Sequence, residues 1–255
     1  MSVRLFAMTC GWLTLPARFI LHHTEGELRL PIPSYLIVHP KGKVIFDSGL
    51  HIGMQSDPET RIGKAAAYTK VEYKPGEELR SRLATLEVGP RDITHLINSH
   101  LHYDHAGGNE QIPNARLVVQ KREWQAAMDP DLAHANGFDT RDYDLGQDVK
   151  QIDGEYDLFG DGSVTLIPTY GHTPGHQSMK LKLAGGDIVL TGDACYMRKT
   201  LDDLHLPHRG FMNDAEAMLA SLHTFRELRN RGARIFYGHD PEHWANVPQA
   251  PLEVV

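Results

Sequence analysis

A chain of 255 residues, 41% hydrophobic and 23% charged, has the composition of an ordinary globular protein and the length to bury an ample core. A net charge of −7 without a long basic run sets nucleic-acid binding aside, and Pro16 and Arg18 break the apolar stretch around Trp12, which argues against a signal peptide or membrane span. Cys10 and Cys195 give no disulfide framework and suit a reducing compartment, so the expectation is a cytoplasmic protein with residues 1–255 in a single domain.

Taken in chain order, apolar and β-branched runs predict strands over Arg4–Met8, Ser34–His39 and Val44–Asp47. The polar stretch Gly49–Lys74, with Gly53, Asp57-Pro58 and Gly63, reads as a loop suited to be a flap over a site. A helix is expected over Glu77–Glu87, burying Leu79, Leu83 and Leu86. Strands follow at Ile93–Asn98 and Arg116–Gln120, then a short helix over Lys121–Met128. The aspartate-rich Pro130–Gln147 reads as a solvated surface excursion. Strands at Val164–Thr169, Gln177–Leu183, Ile188–Thr191 and Ile235–Tyr237 flank the clearest helix, Asp214–Asn230. Its Ala215, Met218, Leu219, Leu222, Phe225 and Leu228 share one face; Asn213 with Glu216 is its expected capping box, and Gly232 its stop signal. This order predicts an α/β (α+β) fold, two sheets packed face to face with helices outside.

The chemistry concentrates at one point. After the strand ending at Asn98 come His100, His102, Asp104 and His105, an H-x-H-x-D-H run that 16 scattered histidines would almost never produce by chance. On a loop these side chains are free to converge, and Gly107-Gly108 allows a tight backbone path beside them. Imidazole and carboxylate at such spacing are metal ligands of the zinc type. One loop cannot complete a two-metal site, and three further strand exits offer donors: His172 and His176 in Gly171-His172-Thr173-Pro174-Gly175-His176, Asp193 in Gly192-Asp193-Ala194, and His239 in Gly238-His239-Asp240.

This set, in this order, resembles the metallo-β-lactamase fold, and Ser99–Asn109, Gly171–Ser178, Asp193-Ala194-Cys195-Tyr196 and Gly210-Phe211 resemble its N-acyl homoserine lactonase branch. The resemblance runs from about Val3 to Asp240 and implies an αββα sandwich of two mixed sheets. It implies one metal on His100, His102 and His172 and a second on Asp104, His105 and His239, with Asp193 bridging. The ions are expected to be two Zn2+, with iron, cobalt or manganese as alternatives. Asp193 stands where the commoner zinc β-lactamases have a cysteine, which argues against β-lactam hydrolysis. Asp47, in Phe46-Asp47-Ser48-Gly49, and His176 are expected to support the ligands rather than bind metal. The other histidines, His134 among them, read as ordinary surface or partly buried residues.

The implied reaction is hydrolytic opening of an N-acyl homoserine lactone, a quorum-quenching activity, by attack of a metal-bridging hydroxide on the ring carbonyl. Tyr196 is expected to donate a hydrogen bond to the oxyanion, and Asp104 to carry a proton to the leaving alkoxide. Met8, Trp12, Leu13, Phe19 and Phe211, with Tyr68 and Tyr73, are candidates for an acyl-chain wall. Alternatives are a hydrolase of another lactone or ester such as a pyridoxolactone, a thioesterase of the glyoxalase II kind, and a metal-dependent binding protein without turnover. The implied partner is a small-molecule lactone, with neither nucleic acid nor membrane; the resembled family contains monomers and dimers, so a homodimer is allowed.

Overall fold

Apolar and β-branched residues dominate β1 (Arg4–Pro16) and β2 (Glu27–His39), which pair antiparallel in the computed structural model, where residues 3–255 are described. β1 runs well past the expected end at Met8. Gly11, at φ +105°, absorbs a register shift between Thr9 and Trp12, and a β-carbon there would lie 2.7 Å from Leu50 Cδ1. The glycine that looks like a strand breaker is therefore a bulge that lets the strand continue.

β3 (Gly42–Phe46), β4 (Lys70–Glu72), β5 (Ile93–Ile97), β6 (Arg116–Gln120) and β7 (Val149–Ile152) complete a mixed seven-stranded sheet in the order β4-β1-β2-β3-β5-β6-β7. A second sheet orders β8 (Tyr156–Asp157), β9 (Val164–Pro168), β10 (Gln177–Leu183), β11 (Gly186–Leu190) and β12 (Arg234–Phe236) as β12-β11-β10-β9-β8. The short β4, β7 and β8 were not visible as apolar runs, and only Ile152 among their residues is fully buried.

The two sheets face one another across a core that takes Tyr35, Ile37, Phe46 and Val118 from the first and Leu166, Met179, Ile188 and Leu190 from the second. On the outer face of the first sheet, Phe6, Leu36, Ile45 and Leu96 pack under Leu79 and Leu83 of the helix Leu79–Ala84. On the outer face of the second, Ile167, Val189 and Ile235 pack under Leu222 and Phe225 of the helix Ala215–Asn230. This is the αββα sandwich expected.

Two helix expectations need correction. The segment 77–87 is helical only over Leu79–Ala84, with turns at either side. In the long helix the cap is Asp214, whose carboxylate accepts from Ala217 N at 3.0 Å, and there is no Asn213–Glu216 box. Asn213 is engaged elsewhere: its N–H donates to the carbonyls of Gly171 (2.8 Å) and His172 (3.0 Å). The helix thus starts against a ligand-bearing loop. Ala215 is exposed, while Ser221 is buried and donates to Tyr170 O at 2.8 Å. The stop is as expected: Gly232, at φ +97°, donates to Arg229 O and Ala233 N to Leu228 O. That pair of bonds is a Schellman closure.

Candidate metal centre

Strands from both sheets end on one rim. β3 exits to Asp47, β5 to residues 98–105, β9 to the 169–176 loop, β11 to Asp193 and β12 to His239. The backbone at Asp47 adopts φ +56°, a conformation uncommon outside glycine, and so turns its carboxylate under the neighbouring exit. Asp104 and His105 lie on a one-turn helix, Tyr103–Ala106. Gly107 and Gly108 are needed for close approach: β-carbons there would lie 2.5 Å from His51 N and 2.2 Å from Ser48 O.

Three ring nitrogens converge: His100 Nε2 and His102 Nδ1 are 2.8 Å apart, and His172 Nε2 is 3.1 Å from each. Tetrahedral ligands about 2.0–2.1 Å from a zinc ion would be spaced by about 3.3 Å, close to what is observed. A second group forms beside it. His239 Nε2 lies 3.3 Å from His105 Nε2, and Asp104 Oδ2 lies 3.6 Å from both. Asp193 reaches both groups, with Oδ1 2.9 Å from His239 Nε2 and 3.2 Å from His105 Nε2, and Oδ2 3.6 Å from His172 Nε2.

The outward nitrogens decide what the inward ones can do. His102 Nε2 meets Asn136 O at 2.7 Å, His172 Nδ1 meets Phe211 O at 2.9 Å, and His239 Nδ1 meets Pro31 O at 2.8 Å. His105 Nδ1 meets Asp47 Oδ2 at 2.9 Å, and His100 Nδ1 meets Ser99 Oγ at 3.0 Å, whose hydroxyl donates to Asp47 Oδ2. Carbonyl and carboxylate oxygens only accept, and the Ser99 hydroxyl has spent its proton on Asp47, so each outer nitrogen carries a proton. The inner nitrogens of His100 and His172 then present lone pairs, and those of His105 and His239 do so once a cation displaces the proton that Asp193 and Asp104 favour. Five imidazole nitrogens and two carboxylates aimed at one volume fit a pair of divalent cations.

Charge follows the same division. Burial and the neighbouring imidazoles hold His100 well below its usual pKa, and burial takes His172 to about 3, so both are neutral. Burial also opposes protonation of His105 and His239, but Asp193 and Asp104, joined at His105 by Asp47, outweigh it and raise both. Burial would raise Asp193, yet His239 and His105 hold it well below the usual carboxylate range.

The centre floors a cleft of about 930 Å³. Leu13, Leu15, Ile20, Leu30, Ile32 and Phe211 form an apolar flank, with Tyr196, Asp104 and Asp193 at the base. Tyr196 is buried, its hydroxyl 3.1 Å from His172 Nδ1 and its ring stacked on His239. His176 lies outside all three ligand groupings: its ring centroid is 5.2 Å from that of His100, and its Nδ1 meets Thr169 Oγ1.

Several wall candidates are corrected. Met8 is buried with Phe6 and Cys10 in the outer layer of the first sheet, because alternation along β1 turns it away from the cleft. Trp12 sits half-buried beneath the Arg29 guanidinium, 3.8 Å from the ring centre, while its neighbour Leu13 faces the cleft. Tyr73 is buried, its hydroxyl bonded to Leu50 O. Phe19 backs the wall, stacking on Phe211 at 4.9 Å and meeting Tyr68 edge-on at 5.2 Å, without lining the cleft itself.

The segment 130–147 is no idle excursion. It forms two short helices, Pro130–Ala135 and Thr140–Tyr143, buries Phe138 and Tyr143, and lines the cleft with His134, Asn136 and Arg141. Facing it, the 49–74 stretch contributes Arg61, Ile62 and Tyr68, and Arg61 pairs with the buried Asp142 across the gap. The orienting carbonyls of Pro31, Asn136 and Phe211 left no trace in the sequence, since every residue type offers one.

A fold of this kind, with donors at these strand exits, defines a class. Residues 28–239 match the family model described as Metallo-beta-lactamase superfamily, and the chain belongs to that superfamily. The relatives narrow it further. An N-acyl homoserine lactonase AttM from Azorhizobium caulinodans is 33% identical over 98% of each chain. The N-acyl homoserine lactonase AiiA of Bacillus thuringiensis subsp. kurstaki is 32% identical over 86% of this chain and 85% of its own. A solved N-acyl homoserine lactone hydrolase, holding the product N-hexanoyl-L-homoserine at its catalytic metal centre, superposes with a TM-score of 0.87 at 26% identity, covering all of both chains. Within the superfamily, the chain is a member of the N-acyl homoserine lactonase family.

Proposed function

We propose that this protein is a dinuclear metallohydrolase that opens the ring of N-acyl homoserine lactones, a quorum-quenching activity. His100, His102 and His172 would hold one ion, and Asp104, His105 and His239 the other, with Asp193 shared. The nitrogen and carboxylate donors favour Zn2+. Two such ions, when bound, make hydroxide available near neutral pH and draw charge from a carbonyl oxygen.

The chain's own residues do the rest. The observation that carries the reading is the Tyr196 hydroxyl at the base of the cleft, beside both ligand groups. His172 Nδ1 already gives its proton to Phe211 O, so it cannot accept from Tyr196, and the phenolic proton is left to the Asp193 carboxylate or to an oxygen in the cleft. Burial, together with Asp193 and Asp104, keeps that phenol protonated. It is thus a preorganised donor for the oxygen of a ring carbonyl turning tetrahedral. Asp104, more open to the cleft than Asp193, takes the proton lost by the nucleophile and delivers it to the ring oxygen as the ester bond breaks. That oxygen stays tethered to the product, so it needs a proton rather than an exit path. The apolar flank suits an acyl chain, and of the expected wall residues Leu13 and Phe211 belong to it.

Among the described residues no helix is long and apolar enough to cross a membrane, and the two free thiols are buried. With the reducing compartment those thiols suit, we place the protein in the cytoplasm. The test is a pH-stat screen of homoserine lactones of varied acyl length, with γ-lactones, a simple ester and a thioester as controls. Preferred turnover of the acylated homoserine lactones is expected. Preferred turnover of the thioester, or of a lactone without the acylamino group, would overturn the assignment.

A further inference from the structure

We propose that Glu123 is a positioning residue, a buried carboxylate that splints the two loops carrying His100, His102 and His172 and so sets the spacing of that ligand group alone. Glu123 lies in the first turn of the helix Lys121–Met128 and is fully buried. Its Oε1 accepts from Leu101 N at 3.2 Å and from Thr173 Oγ1 at 2.9 Å. Its Oε2 accepts from the same hydroxyl at 2.8 Å and from Gly175 N at 2.8 Å. Leu101 stands between two of the ligands; Thr173 follows the third. One side chain therefore grips both loops from behind.

The packing is as specific as the bonds. A β-carbon on Gly175 would lie 2.2 Å from Glu123 N and 2.7 Å from its Cα, so only glycine lets the loop come down far enough to donate. All these donors are uncharged, and burial pushes the acid up to about 7 even though Thr173, Gly175 and Leu101 pull it down. A group whose only task was to fill this space would be better tolerated as an apolar side chain. The second ligand group has its own supports: Asp47 behind His105 and Pro31 O behind His239. Glu123 contacts neither, so its loss should act on one metal position and spare the other.

The inference rests on the dinuclear reading above, and the experiment separates the two. Metal-free wild type, Glu123→Gln, Thr173→Ala and His172→Ala proteins are titrated with Co2+, following the visible absorption, with His172→Ala marking the signal of the three-histidine position. Wild type should take up two ions. Glu123→Gln should lose about 10–100-fold in affinity at the three-histidine position, the range seen when partners behind a ligand are removed, and change less than about threefold at the other. Thr173→Ala, which deletes the side-chain hydroxyl that donates to Glu123, should show the same selective loss on a smaller scale, and it guards against a Glu123 variant that does not fold. Equal weakening of both positions, or unchanged affinity in both variants, would overturn the positioning role. Wild type binding fewer than two ions would instead overturn the dinuclear reading, and with it the inference.

Discussion

At the scale of single residues, the site depends on protons held in fixed places. Tyr196→Phe removes one hydroxyl from a packed, buried ring and should lower kcat on a homoserine lactone by about 10²–10³-fold, the loss typical of a missing oxyanion donor, with metal content unchanged by elemental analysis. Unchanged turnover would remove Tyr196 from the reaction. A second case is Glu78, where burial would raise the carboxyl, but hydrogen bonds from Ser81, its own backbone, Gln55 and Gly76 win and hold it at about 2. A folded-state pKa below the usual 4.5 means stabilisation present above about pH 4.5 and lost as pH falls toward 2. Urea unfolding of wild type and Glu78→Gln should therefore differ near neutral pH and converge in acid; a constant gap would contradict this. The ligand residues were legible because four strand exits ended in donor side chains. Glu123 was not, because a glutamate in a helix's first turn looks like any solvated one, and nothing local reveals the loops folding over it.

At the scale of elements, the sequence conveyed which segments are strands and helices better than what they touch. The helix Ala215–Asn230 was evident from its apolar spacing, yet its start is fixed by a contact with the ligand loop. A β-carbon on Gly171 would lie 2.2 Å from Met218 N, and the residue holds φ +125°. Gly171→Ala should thus destabilise by about 1–3 kcal/mol and also weaken metal binding through His172. Phe225→Ala, deep under the second sheet, should cost about 3–5 kcal/mol in urea unfolding while leaving the metal affinities of the folded protein in place. Equal effects of the two on metal binding would count against the contact between helix and loop. The segment 130–147 hides its role for the opposite reason. Its aspartates are turn formers and caps, such as Asp139 at Arg141 N, and its two buried aromatics, Phe138 and Tyr143, carry too little periodicity to betray a wall.

At the scale of the whole molecule, two sheets share one core and deliver their strand ends to one rim, so the site exists only when both halves are assembled. The sandwich could be read from the order of strands and helices, whereas the cleft could not, because its walls come from irregular segments brought together only by the fold. A pair of ions sharing Asp193 makes metal stoichiometry and activity rise and fall together. Elemental analysis of the purified protein should find close to two transition-metal ions per chain; chelation should abolish lactone hydrolysis, and adding back the ions should restore it. Full activity with a single tightly bound ion, or activity that survives complete chelation, would contradict it.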